Sequence, residues 1–436
     1  MLDTKPLAGS FSQAAPPPKI VFIVGRNASG HYMLRDSIAN LANFGIACDI
    51  YLTDALPTPA LKAKLEVPEV QNLRFFETLM IDHGYPVLEH YMIPVQEGEL
   101  ISNQMYTPRQ LANHYTARGT AVRLQNMLDI NADAFVQTII NDEQIVLMYN
   151  IRGMQKYQNP LIAAIEEKKY RGNNGRIVNC HPADVFAYPG TNTAFWNRMN
   201  GSIENVVTLH VIDEDWDTGP FLDRTTAPLK SGKTLMQDML AMRQAAAGMI
   251  TNDATMFLNG SPRVPTPQGQ ISTPKRDTNY SHATHEEWLE GYRRGIRVAD
   301  PESFLDALVT DYTGPRNVKA SKDLKHSLAK ALKNWQEYYV DLYRSTYDAI
   351  PPEYGDSPKQ YIISVPPAPS KGLVNGTSPT RTTTNTITPQ TATTSGGSGA
   401  IGKASIVPTW ATDGFHANDS DPDDLFGMST PSLHLP

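Results

Sequence analysis

The feature that most restricts how this chain can fold is a series of short apolar, β-branched runs separated by segments of helical spacing. Lys19–Gly25 (KIVFIVG) leads into a pattern from about His31 to Phe44, with Leu34, Ile38 and Leu41 on one face. Cys48–Thr53 reads as a second strand. Thr107-Pro108, with Thr at an N-cap and Pro at the first helical position, opens a helical pattern reaching about Leu128. A further helix, about Ala132 to Asn141, precedes a buried strand at Gln144–Tyr149, and Ile177-Val178, Val206–Ile212 and Phe221–Leu229 supply more apolar runs. Lys233–Leu258 reads as one long helix with Leu235, Met239, Met242 and Ala246 on one side, a stripe better suited to core packing than to a ligand groove. Strands alternating with helices call for parallel pairing through right-handed crossovers. The expected fold class is α/β, a mostly parallel sheet with helices on both faces.

With 436 residues, 40% of them hydrophobic, the chain can bury a sizeable core. Its net charge of -7 gives no general attraction to nucleic acid or to an acidic membrane, so neither is an expected partner. Cys48 and Cys180 are the only cysteines, and both lie in apolar surroundings, which suits reduced thiols and a cytoplasmic setting. Residues 1–18 read as a flexible leader without a signal-peptide core, and no run approaches the length of a membrane span.

Two apolar runs end in chemically equipped residues. Ile177-Val178 continues into Asn179-Cys180-His181-Pro182, and Val206–Ile212 into Asp213-Glu214-Asp215-Trp216-Asp217-Thr218-Gly219-Pro220. Such strands would deliver their side chains to one edge of a sheet, where open α/β sheets keep their sites. Asn179 and His181, two apart, face the same way on a continuing strand, whereas Cys180 faces the opposite layer. A carboxylate from the second run can orient or charge the imidazole, with Gly219 allowing close backbone approach. An amide donor, a titratable ring and an acid together suit a reaction that passes through an oxyanion. Farther upstream, Arg26-Asn27-Ala28-Ser29-Gly30 links a strand to a helix, and reads either as an anion seat at a helix start or as a plain turn.

With Tyr188-Pro189-Gly190 between them, these motifs resemble the folate-dependent formyltransferases, the family of glycinamide ribonucleotide formyltransferase and methionyl-tRNA formyltransferase. That family carries Asn-x-His-Pro, an aromatic-Pro-Gly turn and Asp-x-Gly-Pro in the same order. The resemblance implies a Rossmann-like domain that moves a formyl group from formyl-tetrahydrofolate to an amine through a tetrahedral intermediate, without a metal. It implies Asn179, His181 and Asp217 as the catalytic residues. By the same likeness, Ile151, Arg152, Gly153 and Met154, with Asp213, Glu214 and Asp215, would line the folate pocket, and Arg26, Asn27, Ser29 and Gly30 would hold the acceptor's anionic group. Two departures stand out: Gly153-Met154 replaces an aliphatic pair, and the first turn has only Gly25 and Gly30. The acceptor is expected to be a small-molecule amine, with an amino-sugar nucleotide among the candidates. Two other readings stay open, a formyl-tetrahydrofolate hydrolase and an inactive formyltransferase-like binding module with a partner-recruiting tail.

The resemblance implies a formyltransferase-like catalytic domain at 19–262, followed by a linker at 263–284; helical spacing marks a C-terminal region at 285–355, and composition a Thr/Ser/Pro/Gly-rich tail at 366–436. Such a tail cannot bury enough apolar surface to order itself, so it reads as disordered. Its acidic end, with Leu425, Phe426 and Met428, offers a segment for a protein partner.

Overall fold

The structure, a computed structural model, describes residues 18–54, 59–91, 107–117, 119–127, 129–229, 233–271, 280–313 and 318–347. All belong to one of two units of the chain, residues 1–94 with 101–378. The expected leader, apart from Pro18, and the expected tail lie outside the described residues.

Four runs with little to offer water form the middle of a seven-stranded sheet. β1 (Lys19–Gly25) pairs in parallel with β2 (Ala47–Thr53) on one side and with β4 (Ile145–Ile151) on the other. β3 (Val122–Met127) extends the sheet beyond β2, and β7 (Arg176–His181) extends it beyond β4, both in parallel. A two-stranded hairpin, β5 (Lys169–Tyr170) and β6 (Asn173–Asn174), precedes β7. β8 (Glu204–Val211) and β9 (Phe221–Pro228) close the sheet antiparallel, giving the order β3-β2-β1-β4-β7-β8-β9. The fold is Rossmann-like α/β, the α/β class as the alternation implied and the Rossmann-like form as the resemblance implied.

Every residue of β1 and β4 is buried, as strands covered on both faces must be. One face of the sheet, carrying Val21, Ile23, Met148 and Ile177, packs with α6 (Asp133–Asn141) and α7 (Asn159–Glu166) in one apolar cluster. On alternate positions Phe22 and Tyr149 stack at 5.7 Å, and the Tyr149 hydroxyl donates to Asp253 of α10 (2.7 Å). α10 (Arg243–Leu258) packs along α1 (Ala28–Asn43) in that second layer. Asp253 is fully buried there and also takes a 2.7 Å ion pair from Arg176 at the start of β7. Its charge is therefore paired and hydrogen-bonded, the condition for tolerating burial.

Several expectations need correction. The helix expected from Thr107 to Leu128 is α5 (Pro108–Ala117), and the segment after it is strand β3. Sheet pairing overrides helical spacing there: Arg123 reaches across to Asp49 of β2 with two bonds of 2.8 and 2.7 Å. The long helix expected at Lys233–Leu258 is two helices, α9 (Leu235–Ala241) and α10, meeting at Met242. The strand expected to stop at Tyr149 runs to Ile151, so Asn150 and Ile151 are strand residues.

The stretch 70–100, which showed no clear period, contains α3 (Pro68–Leu79), a π-helical turn at Met80–Gly84 and α4 (Tyr85–Leu88), with α2 (Pro59–Leu65) before them; residues 92–100 lie outside the described residues. Against α3 and the π turn pack α11 (His285–Arg293), α12 (Pro301–Thr313) and α13 (Val318–Tyr347), which share one apolar cluster with Phe76, Leu79, Met80 and Phe195 of α8 (Thr193–Met199). No helix among the described residues is long and apolar enough to cross a membrane.

Candidate active site

The C-terminal ends of β1, β2, β4 and β7 open onto one cleft of ≈ 690 Å³. β1 hands the chain to β2 on one side while β4 joins it on the other, and a doubly wound sheet opens its crevice at such a reversal. At that point Gly25 lies so close to the next loop that a Cβ would stand 2.1 Å from the Arg152 carbonyl oxygen. Only glycine lets the two loops meet this closely.

Asn179 and His181 project from β7 on the face that carries Ile177. Directly opposite Asn179 in β8 is His210, and opposed residues of an antiparallel pair share a face. The acidic turn does not arrive as expected: β8 is antiparallel, so its end lies beside Val178 and not beside His181. Residues 212–220 instead fold back over the sheet. Gly219 makes this possible, because a Cβ there would lie 1.8 Å from the Val211 carbonyl oxygen. Asp217 adopts left-handed backbone (φ 56°), and Gln268 Nε2 donates to the carbonyls of Asp217 and Gly219 (3.0 and 2.8 Å).

The Asp217 carboxylate thus meets four groups. Its Oδ1 lies 3.6 Å from His181 Nδ1 and 3.5 Å from His210 Nε2, and accepts from Asn179 Nδ2 at 3.3 Å. Its Oδ2 accepts the Gly190 N–H at 2.7 Å. Burial alone pushes this carboxyl up, but the neighbouring His181 and His210 rings and the Gly190 amide outweigh it and hold the group far below the usual carboxylate range. It is an anion at any working pH.

Each neighbour is itself oriented. His181 Nε2 donates to the Tyr188 carbonyl (2.8 Å), which turns Nδ1 toward Asp217. His210 Nδ1 donates to the Val211 carbonyl (3.0 Å), leaving Nε2 to accept from Asn179 Nδ2 (2.9 Å). Asn179 Oδ1 accepts from Asn150 Nδ2 (2.9 Å). Both amide hydrogens of Asn179 are therefore engaged in the ligand-free chain, and an incoming oxygen would have to replace the longer, 3.3 Å bond.

The other expected site residues divide. Arg26 and Asn27 line the cleft, but Asn27 caps α1 by accepting from the Gly30 N–H (2.8 Å), and Arg26 is paired with Asp82 (2.6 Å) and Asp54 (3.5 Å). Ser29 and Gly30 are buried in the first turn of α1 and are not among the cleft-lining residues. Arg152, Gly153 and Met154 line the cleft, with Arg152 bound to Glu77 (2.7 Å); Ile151 is buried in β4. Asp213, Glu214 and Asp215 lie outside the lining: Asp213 accepts from Thr218 (2.6 Å), and Asp215 pairs with Lys156 (3.1 Å). The neighbouring Trp216 does line the cleft. So do Leu235, Met239 and Met242, so the stripe read as core packing serves the cleft as well.

Sequence reasoning passed over two residues, His210 and His282, and gave Gln268 only as part of a faint likeness of 265–276 to the segment that follows the family's catalytic domain. His210 carried a signal, a histidine inside an otherwise apolar run. His282 carried none, because no local pattern around it points to the site. In the described parts of the expected linker, Thr266 is bridged to Phe221 and Tyr280 to Gly190. Among the described residues no group of three or more His, Cys, Asp or Glu is placed to hold a metal ion.

A doubly wound sheet whose crevice holds an Asn, a His and a buried carboxylate on one centre resembles the folate-dependent formyltransferases, as the three motifs implied. Over 73 residues the chain is 36% identical to GDP-perosamine N-formyltransferase of Brucella melitensis, and by the same figures to that of Brucella abortus. The match spans 17% of this chain and 27% of the length of those relatives. No family model matches. Among solved structures, a phosphoribosylglycinamide formyltransferase from Anaplasma phagocytophilum overlays 60% of this chain and 99% of its own at 11% identity, TM-score 0.37. A sugar N-formyltransferase from a Shewanella species overlays 63% and 87% at 11% identity, TM-score 0.36. Overlays of that size are likenesses only.

Proposed function

We propose that this chain is an N-formyltransferase that moves a formyl group from formyl-tetrahydrofolate to the amine of a small-molecule acceptor, with an amino-sugar nucleotide as the favoured acceptor class. The observation that carries the reading is the convergence of Asn179, His181 and Asp217 on the wall of one cleft. The short match to an N-formyltransferase named for a nucleotide-linked amino sugar supports it.

The cleft suits the donor. Its Met154 and Trp216 are 40% and 46% exposed, apolar surfaces available to a flat ring, beside the backbone of 152–156. Formyl-tetrahydrofolate would supply the activated one-carbon group. The chain's own residues would do the rest. Asn179 would turn an amide hydrogen from Asp217 to the oxygen that gains charge, and positioned donors of this kind are worth about 10²–10³ in rate. His181, held at Nε2 by Tyr188, keeps Nδ1 next to a permanent anion, where a proton can be held or passed on. Asp217 fixes that ring and takes up positive charge gained by it.

Purified Asp217→Asn and His181→Ala are expected to lose at least about 10²-fold in turnover while keeping their circular dichroism spectra. Wild-type activity in His181→Ala would refute the assignment. Release of folate that proceeds equally with and without an added amine would identify the hydrolase instead.

A further inference from the structure

Asn179 is held on its oxygen side by a residue to which the proposed reaction gives no task. Asn150 of β4 and Asn179 of β7 are partners in the parallel register, so their side chains leave the sheet on the same face. Asn150 is buried, lines the cleft, and donates from Nδ2 to Asn179 Oδ1 at 2.9 Å. The same Nδ2 lies 3.4 Å from the Gly153 carbonyl oxygen, which only accepts, so the nitrogen end of the Asn150 amide is the one that faces both groups. Its Oδ1 accepts from the Tyr157 hydroxyl at 3.2 Å. Tyr157 is buried as well, and burial holds its phenol well above the ordinary value, so the hydroxyl keeps its hydrogen.

The room for this arrangement comes from Gly153. A Cβ there would stand 2.2 Å from Asn150 Oδ1, so a larger residue would push the Asn150 amide off its partners. Glycine at 153, one of the two departures visible in the sequence, thus goes together with asparagine at 150. The bonds run head to tail: Tyr157 O–H to the Asn150 oxygen, Asn150 N–H to the Asn179 oxygen, and Asn179 N–H to Asp217 and His210. An amide whose oxygen accepts a bond is a stronger N–H donor, and bonds aligned in one sense reinforce one another by about 10–30% each.

We propose that Asn150, backed by Tyr157, is a positioning residue for Asn179: it holds Asn179 Oδ1 as a fixed pivot while an amide hydrogen turns from Asp217 to the reacting oxygen, and it strengthens that N–H as a donor. The part played in the reaction rests on the function proposed above; the orientation of Asn179 by Asn150 does not. Without Asn150 the Asn179 oxygen loses its protein partner, and the amide is free to swing once its hydrogen leaves Asp217.

The test has a spectroscopic arm and a kinetic arm. In ¹⁵N–¹H spectra of the full chain without ligand, the Asn179 side-chain amide is identified by its loss in Asn179→Ala. Asn150→Leu is expected to move that resonance upfield, and Tyr157→Phe, which removes a hydroxyl bonded to Asn150 and not to Asn179, to move it the same way by less. Tyr157→Phe should add nothing in a chain already carrying Asn150→Leu. A resonance that Tyr157→Phe leaves unmoved, or moves equally with and without Asn150, overturns the proposal. With formyl-tetrahydrofolate and GDP-perosamine as substrates, Asn150→Leu is expected to lower kcat at least about tenfold through misplacement of Asn179, with the KM for the folate kept within about threefold. An unchanged kcat, or a loss confined to that KM, overturns it, because Asn150 would then serve only the turn at Gly153. A wild type that transfers no formyl group, yet shows the shifts in both variants, would count against the proposed function and leave the orientation of Asn179 by Asn150 standing.

Discussion

Among the described residues, three of the four non-glycine positions with left-handed backbone, Arg152, Asn192 and Asp217, line the cleft. Each such residue is strained by about 1–3 kcal/mol unless its side chain or surroundings compensate, and such strain gathers at working sites. Here the compensation is visible: Arg152 is bonded to Glu77, Asn192 to His282, and Asp217 to Gly190 and its neighbours. Gly219 is the residue that lets Asp217 return to the sheet. Gly219→Ala is expected to displace the 212–220 turn from Val211 and to cut turnover by at least about tenfold through misplacement of Asp217, a loss that small errors of position readily cause. Kinetics of the purified variant check this, and unaltered turnover would show that the close approach is dispensable.

The parallel part of the sheet was legible from short apolar runs because strands covered on both faces have to be continuously apolar. β3 was not, since it is an edge strand, mostly polar, that joins the sheet through β2 and the Arg123–Asp49 bond across 74 positions. Met242, where α9 and α10 meet, was equally silent: the apolar stripe continues through it, so spacing gives no sign of a break. Asn179, His181 and Asp217 could be found because they end recognisable runs, whereas His282 could not, lying 65 positions from Asp217 on a segment of no periodicity. Asp253 shows how tightly the second layer binds β4 and β7. Asp253→Ala removes the partner of Arg176 and Tyr149 and leaves a guanidinium buried. The expected loss is about 3–5 kcal/mol, read as a fall in urea midpoint.

For the molecule as a whole, the helices α11 to α13 are part of the core, and the contact with α1 runs through a buried polar chain. His31 lies 3.1 Å from the Tyr85 hydroxyl, which lies 2.9 Å from that of Tyr312 on α12. Burial, with a contribution from Arg26, holds the His31 ring down to about 3. A base depressed on folding takes up its proton first in the unfolded chain. The stability it gives is therefore complete above about pH 6.5 and is lost as pH falls toward about 3 for His31 and about 4 for His282. Asp217, an acid held low, adds its own loss only below about pH 4. Urea unfolding should show stability declining below pH 6.5 by about 1.4 kcal/mol per pH unit for each ring, and His31→Leu should reduce that slope. Equal midpoints at pH 7 and pH 5 would contradict this account. The Asp217 turn has one more consequence. Gln268 and Gly190 hold it in place before any ligand arrives, so under the proposed function the carboxylate is oriented during folding, and the Asn179 amide hydrogen is the group left to turn as charge develops.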